Sequence, residues 1–155
     1  MEAGSDIIQT NTFGSNRVRL KKYGLEEKIR ELNQNAVKIV QKAMAPSTII
    51  CGSLGPLGDF IEPYGNLTIK DVENTFQEQV EILLSEGITI FNLETFISSE
   101  EAIAAAETIL KLGAEVIVSF TFEKRGNGQF TTLMGESPEK IAQTFQSLPI
   151  VALGA

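Results

Sequence analysis

The sequence contains no histidine, no tryptophan and a single cysteine, Cys51, in 155 residues. Without histidine or a second thiol there is no Cys/His cluster to hold zinc inside the chain, and an internal disulfide is excluded. A lone thiol with no imidazole partner also argues against nucleophilic cysteine catalysis, so Cys51, inside the apolar run STIICGSLG, reads as a packed core residue. No hydrophobic run reaches membrane-spanning length, and the opening MEAGSD lacks the charged and apolar regions of a signal peptide. A cytoplasmic location is the expectation. Positive charge is scarce as well: 13 Lys and Arg against 20 Asp and Glu give a net charge of -7 and a pI near 4.7. That balance excludes a sequence-independent nucleic-acid surface, which needs a concentrated positive field. The one basic cluster, NRVRLKK, is followed at once by LEEKIRE and reads as a solvated loop and helix start.

What remains is a chain with 43% hydrophobic residues and no low-complexity tract, long enough for one sizeable core. Three segments align on a glycine: GSDIIQTNTF from Gly4, GITIFNLETF from Gly87 and GAEVIVSFTF from Gly113. Each begins apolar and reaches Thr-Phe at the same offset, the mark of a repeated supersecondary unit. Two more apolar runs, STIICGSLG (47–55) and PIVALGA (149–155), bring the strands to five.

Between the strands the apolar period becomes helical. Leu25, Ile29, Leu32, Ala36, Ile39 and Ala43 predict one amphipathic helix over 24–44, and Val72, Phe76, Val80 and Leu83 a second. Thr68-x-x-Asp71 and Ser98-x-x-Glu101 resemble capping boxes, and Ser137 followed by Pro138 marks a fourth helix start. Gly87 and Gly113 fall where left-handed helix ends are expected. GSLGPLG reads as a tight strand-to-helix loop and EKRGNGQ as an exposed turn.

Strand and helix alternate without a hairpin signal, which predicts an α/β fold on a parallel sheet. Both a doubly wound sheet and a piece of a (β/α)8 barrel satisfy this order. The shared Thr-Phe endings favour a partial (β/α)8 (TIM) barrel of about five parallel strands and four helices, since a closed barrel needs about 250 residues.

In such folds functional groups gather at the carboxyl ends of strands. Those ends carry Thr10, Asn11 and Thr12; Ser53; Asn92, Glu94 and Thr95; and Ser119 and Thr121. Glu94 is the one carboxylate among neutral groups. Either it meets a cation such as a substrate ammonium, or it caps the helix that starts near Ser98.

The segments AGSDIIQTNTFGSN, GSLGPLGDFIEPYG, FNLETFISSEEAIAA, SFTFEKRGNGQFTTLMGES and VALGA, in this order, resemble the homocysteine S-methyltransferase barrel, as found at the amino end of cobalamin-dependent methionine synthases. The resemblance implies a zinc-dependent barrel in which homocysteine, bound to zinc as thiolate, attacks an electrophilic methyl group and becomes methionine. It implies substrate-binding roles for Glu94, toward the amino group, and for Thr95, Asn11, Thr12, Phe13, Gly14 and Ser53. The family's three cysteine zinc ligands match no position here, Cys51 included. The resemblance therefore implies a partial homocysteine-binding barrel over 1–155, without the first strand and the last strands, with no metal ligand and no catalytic residue of its own and inactive in isolation. Zinc and methylcobalamin, with cobalamin and folate domains, are the cofactors and partners implied for the parent. A cobalamin-free S-methyltransferase, or a non-catalytic half-barrel that binds a small amino acid or associates with itself through open barrel edges, are the alternatives.

Overall fold

In the computed structural model, which describes residues 4–126 and 128–155, the chain runs β1 (Ile7–Gln9), α1 (Arg17–Lys21), α2 (Ile29–Ala43), β2 (Ile49–Leu54), α3 (Ile69–Ser85), β3 (Ile90–Phe96), α4 (Ser99–Lys111), β4 (Glu115–Phe120), β5 (Glu123–Lys124), β6 (Phe130–Thr131), α5 (Pro138–Phe145) and β7 (Ala152–Gly154). β1, β2, β3, β4 and β7 form one parallel sheet in that spatial order, with β3 at its centre. Strands follow one another across the sheet without reversal, as barrel strands do.

Strand alternation separates the two faces. Leu54, Phe91, Leu93, Val116, Val118 and Phe120 point to one side and are buried beneath the helices. Phe76, Val80 and Leu83 of α3 and Ala102, Ala105 and Ile109 of α4 meet them there. Each large side chain removed from water in this layer contributes about 1.5–3 kcal/mol. The opposite face carries Ile7, Gln9, Ile49, Asn92, Glu94, Ile117 and Ser119, all half-buried or exposed, with Cys51 and Ser53 of β2 buried among them. One covered face excludes the doubly wound sheet, which has helices on both, and leaves a barrel segment with its inner face open.

Gln9, Cys51, Ile90 and Glu115 lie in one row across four strands. Gln9, Ile90 and Glu115 are the fifth, third and second residues after Gly4, Gly87 and Gly113. The repeated segments therefore step progressively along their strands, the stagger that tilted barrel strands require. Their Thr-Phe endings do not occupy equivalent heights.

The helices differ from expectation in number and extent: five stand in place of four. The helix expected over 24–44 starts later, as α2, and α1 stands ahead of it as an extra helix, closed off by the turn in which Gly24 takes φ 66°. A 3-10 turn at Glu26–Lys28 then leads into α2. The basic cluster NRVRLKK is α1 itself, capped by Asn16 and tied to α3 by the paired bonds from Arg17 Nε and Nη2 to Glu78 (2.8 and 2.6 Å). A short antiparallel hairpin, β5–β6, stands where an exposed turn is expected. Thr68 and Asp71 do form a capping box on α3, and Ser137 caps α5 with Pro138 in its first turn.

Candidate functional site

The centre of the sheet is distorted at Glu94. Leu93 pairs with Val118, but the next pairing is Phe96 with Phe120, so β3 carries one residue more than β4 over this step. The extra residue is absorbed at Thr95, whose φ of 60° places a β-branched side chain in the left-handed region. The bulge re-aims the chain: Phe96 returns to the buried face, packed 6.1 Å from the Phe76 ring, while Glu94 stays on the inner face. Such strain persists where the surroundings over-determine it, and it concentrates at functional sites.

Glu94 is held from β2. Ser53 Oγ donates to Glu94 Oε1. Ser53 is itself fixed by β1: its amide donates to Thr10 Oγ1 (3.1 Å), and its carbonyl accepts from Thr12 Oγ1 (2.7 Å). The two threonine hydroxyls share a bond of 2.6 Å. Behind them, the buried Gln79 of α3 donates to Thr12 O (2.8 Å) and to Asn33 Oδ1 (3.2 Å), and Asn33 donates to Ser15 O (2.8 Å). A chain of bonds thus runs from two helices through the first strand end to the carboxylate.

Glu94 does not cap α4. That helix is capped by Ser98, which accepts from Glu101 N, and by Glu136 of the β6–α5 loop, which accepts from Ser99 N (2.9 Å). Glu101 does not complete the capping box that its spacing predicts. Its carboxylate turns away and accepts from Leu57 N (2.7 Å) in the loop after β2. Burial pushes Glu101 up to about 6, against the opposing effects of the Leu57 bond and the Arg19 charge.

The seven residues singled out for substrate binding divide into groups. Glu94 and Ser53 join on the inner face, with Asn11 exposed at the first strand end and Thr12 fully buried beneath Ser53. Phe13 and Thr95 line a separate cavity of about 240 Å³ with Arg19, Asp59, Phe60 and Glu101. Gly14 lies beside it, 3.8 Å from Arg19 Cδ if it bore a Cβ. Sequence reasoning missed Arg19 and Glu101, and placed Thr10 at a strand end without a role. The available signal for Glu101 was a capping-box spacing, which pointed to the wrong partner.

The glycines of GSLGPLG are seats for side chains from elsewhere. A Cβ on Gly52 would lie 2.6 Å from the Phe91 ring, and one on Gly55 2.5 Å from the Phe13 ring. Gly58, at φ 84°, faces the Arg19 side chain. Arg19 in turn lies over Phe13, 5.3 Å from the ring centroid, and donates from Nε to Pro56 O (2.7 Å).

No group of three metal-ligating side chains occurs among the described residues. Cys51 is buried, and desolvation together with the charge of Glu94 pushes its thiol up to about 11. A protonated, enclosed thiol beside a carboxylate does not fit a zinc ligand set, which needs thiolates. Among the described residues no helix is long and apolar enough to cross a membrane.

A family model described as homocysteine S-methyltransferase matches residues 1–155. The methionine synthase of Mycobacterium leprae (strain TN) is 31% identical over 100 residues, covering 61% of this chain and 8% of that protein. The homocysteine methyltransferase MmuM from Escherichia coli superimposes with a TM-score of 0.82 in its metallated form and 0.81 in its oxidized form, each at 22% identity. Both superpositions cover 99% of this chain, and they cover 58% and 57% of the MmuM chain. The chain therefore spans little more than half the length of those solved relatives and a small part of the synthase.

Proposed function

Because this chain belongs to the homocysteine S-methyltransferase family, we propose that it supplies the amino-acid half of a site that transfers a methyl group to homocysteine, with Glu94 receiving the substrate ammonium. The observation that carries this reading is the Ser53–Glu94 bond on the open inner face. A carboxylate oriented by one donor, next to an exposed strand end, presents its remaining acceptor capacity to a cation. Thr10 and Thr12 keep Ser53 in place, and Asn11 lies exposed between them at the first strand end.

In the reaction a carbon–sulfur bond forms between the homocysteine sulfur and the donor methyl, and the donor departs with the electron pair of the bond it loses. In the parent a zinc ion would lower the pKa of the homocysteine thiol so that it reacts as thiolate, and methylcobalamin would supply the methyl in the synthase type. The described residues do not fit that metal, so this chain's part is confined to binding and orienting the amino-acid end. We take residues 1–155 as a partial barrel, inactive alone, and assign the metal, the cobalamin and folate domains and the methyl donor to a parent protein. The open edges of β1 and β7 favour self-association of the isolated chain.

Calorimetric titration of homocysteine into the chain, with and without Zn²⁺, tests the reading. Binding that is insensitive to zinc and reduced in Glu94→Gln is expected. Equal affinity in the variant and the wild type removes Glu94 from the site.

A further inference from the structure

The cavity that holds Phe13 and Thr95 has a chemistry of its own. Arg19 is anchored at one end of its guanidinium, through Nε to Pro56 O, and by its position over Phe13. Its Nη1 and Nη2 groups have no acceptor among the described residues. An arginine already fixed in orientation with its outer fork free is prepared for a carboxylate, which accepts two parallel bonds. Two carboxylates line the same cavity. Asp59 accepts from Phe60 N (2.8 Å) and Glu101 from Leu57 N (2.7 Å), which fixes each in place. Arg19 and Glu101 feel each other's charge but form no ion pair. The space between them is where opposite charges remain unjoined.

Two acids and one base line the cavity, with Lys22 held at its rim on Gly58 O, and this mixture of signs favours a ligand that brings both. The volume of about 240 Å³ suits a molecule the size of one amino acid and is below the range of nucleotide or drug-sized ligands. Phe60 and Phe13 offer apolar surface for its side chain. We propose that this cavity is a second small-molecule subsite, which takes an amino-acid-like zwitterion with its carboxylate on the Arg19 fork and its ammonium toward Asp59 and Glu101. The strained Thr95 stands between it and Glu94, so the two sites share one bulge. The subsite does not depend on homocysteine binding at Glu94.

The test is a titration of L-methionine and, separately, propionate into the isotopically labelled chain, followed by amide shifts in NMR spectra. Methionine is expected to shift the Leu57 and Asp59 amides saturably, with propionate at least tenfold weaker. Arg19→Lys keeps the charge but loses the fork, and should weaken the methionine response at Leu57 and Asp59 about tenfold, whereas Glu94→Gln should remove only shifts on the inner face, at Ser53 and Asn92. Phe60→Ala, at a residue 41% exposed, provides a second variant that does not disturb the core, and should also weaken binding. The absence of saturable shifts, or equal affinity for propionate, overturns the proposal. So does binding lost in Glu94→Gln and retained in Arg19→Lys, which assigns the ligand to the inner face and leaves the Glu94 reading intact. A failure of the Glu94 reading shows separately, as homocysteine shifts missing from Ser53 and Glu94.

Discussion

The hydroxyl of Ser53 donates to the carboxylate of Glu94 across the two neighbouring central strands. The bond has a testable weight. Glu94→Gln should weaken homocysteine binding by about 1.5–3 kcal/mol, the range for a hydrogen bond to a charged group. Ser53→Ala should weaken it by about 1 kcal/mol, since the carboxylate remains but loses its orientation. Calorimetry on both variants checks the order, and a larger effect from Ser53→Ala contradicts it.

Gly55→Ala should destabilise the fold. The new Cβ would sit 2.5 Å from the Phe13 ring, and overpacking of this kind costs about 1–3 kcal/mol. Urea unfolding should show an earlier midpoint with an unchanged slope. Adding Phe13→Leu should restore part of the loss, because the smaller side chain vacates the seat.

Glu101 makes stability depend on pH. Its folded value, about 6, lies above the ordinary 4.5, so between those limits the native state binds more protons than the unfolded state. Stability therefore falls as pH rises from about 4.5 through 6, by on the order of 2 kcal/mol. Glu101→Gln keeps an acceptor for Leu57 N and carries no charge. It should flatten this part of the profile and match or exceed the wild type at pH 7 in urea unfolding.

Cys51 should resist alkylation in the folded chain at pH 8 and react fully in denaturant. Burial and the Glu94 charge keep the thiol protonated, with a value of about 11. Rapid labelling of the native protein by iodoacetamide, followed by mass spectrometry, contradicts this.

The isolated chain should sediment as a dimer or larger species at micromolar concentration. Among the described residues β1 and β7 are the edge strands of the sheet, and Ile7, Ile49, Val151 and Leu153 are exposed on or beside them. A compact monomer across that concentration range is the contrary result.

The order of strands and helices was legible because each rests on local signals: apolar density for Phe91 and Val116, side-chain caps for Thr68 and Ser137, glycine for the turns at Gly87 and Gly113. Long-range relations were not. Glu101 stands three residues after Ser98, yet its partner is Leu57, 44 positions away. The glycines of GSLGPLG look like ordinary loop flexibility until Phe91, Phe13 and Arg19 arrive from other elements to fill the space above them. Arg19 sits in a basic cluster that reads as solvated, and only the fold brings Phe13 beneath it. The Leu25–Ile29 spacing continues helical periodicity, but the residues between them form a 3-10 turn that starts just after Gly24 leaves the right-handed region. At the centre, the aligned Thr-Phe endings suggested equivalence, whereas Phe96 is core, Phe13 rests on Gly55 and Thr95 is the bulge.

Because the helices cover only one side of the sheet, the residues that confer folding and those proposed for recognition occupy different surfaces of the same strands. Phe91 and Leu93 cannot change without repacking α3 and α4, but Asn92 and Glu94, their immediate neighbours in sequence, face outward from that constraint. Alternate letters of one heptapeptide thus answer to separate selective pressures. A lineage can exchange its inner-face side chains while inheriting the scaffold untouched.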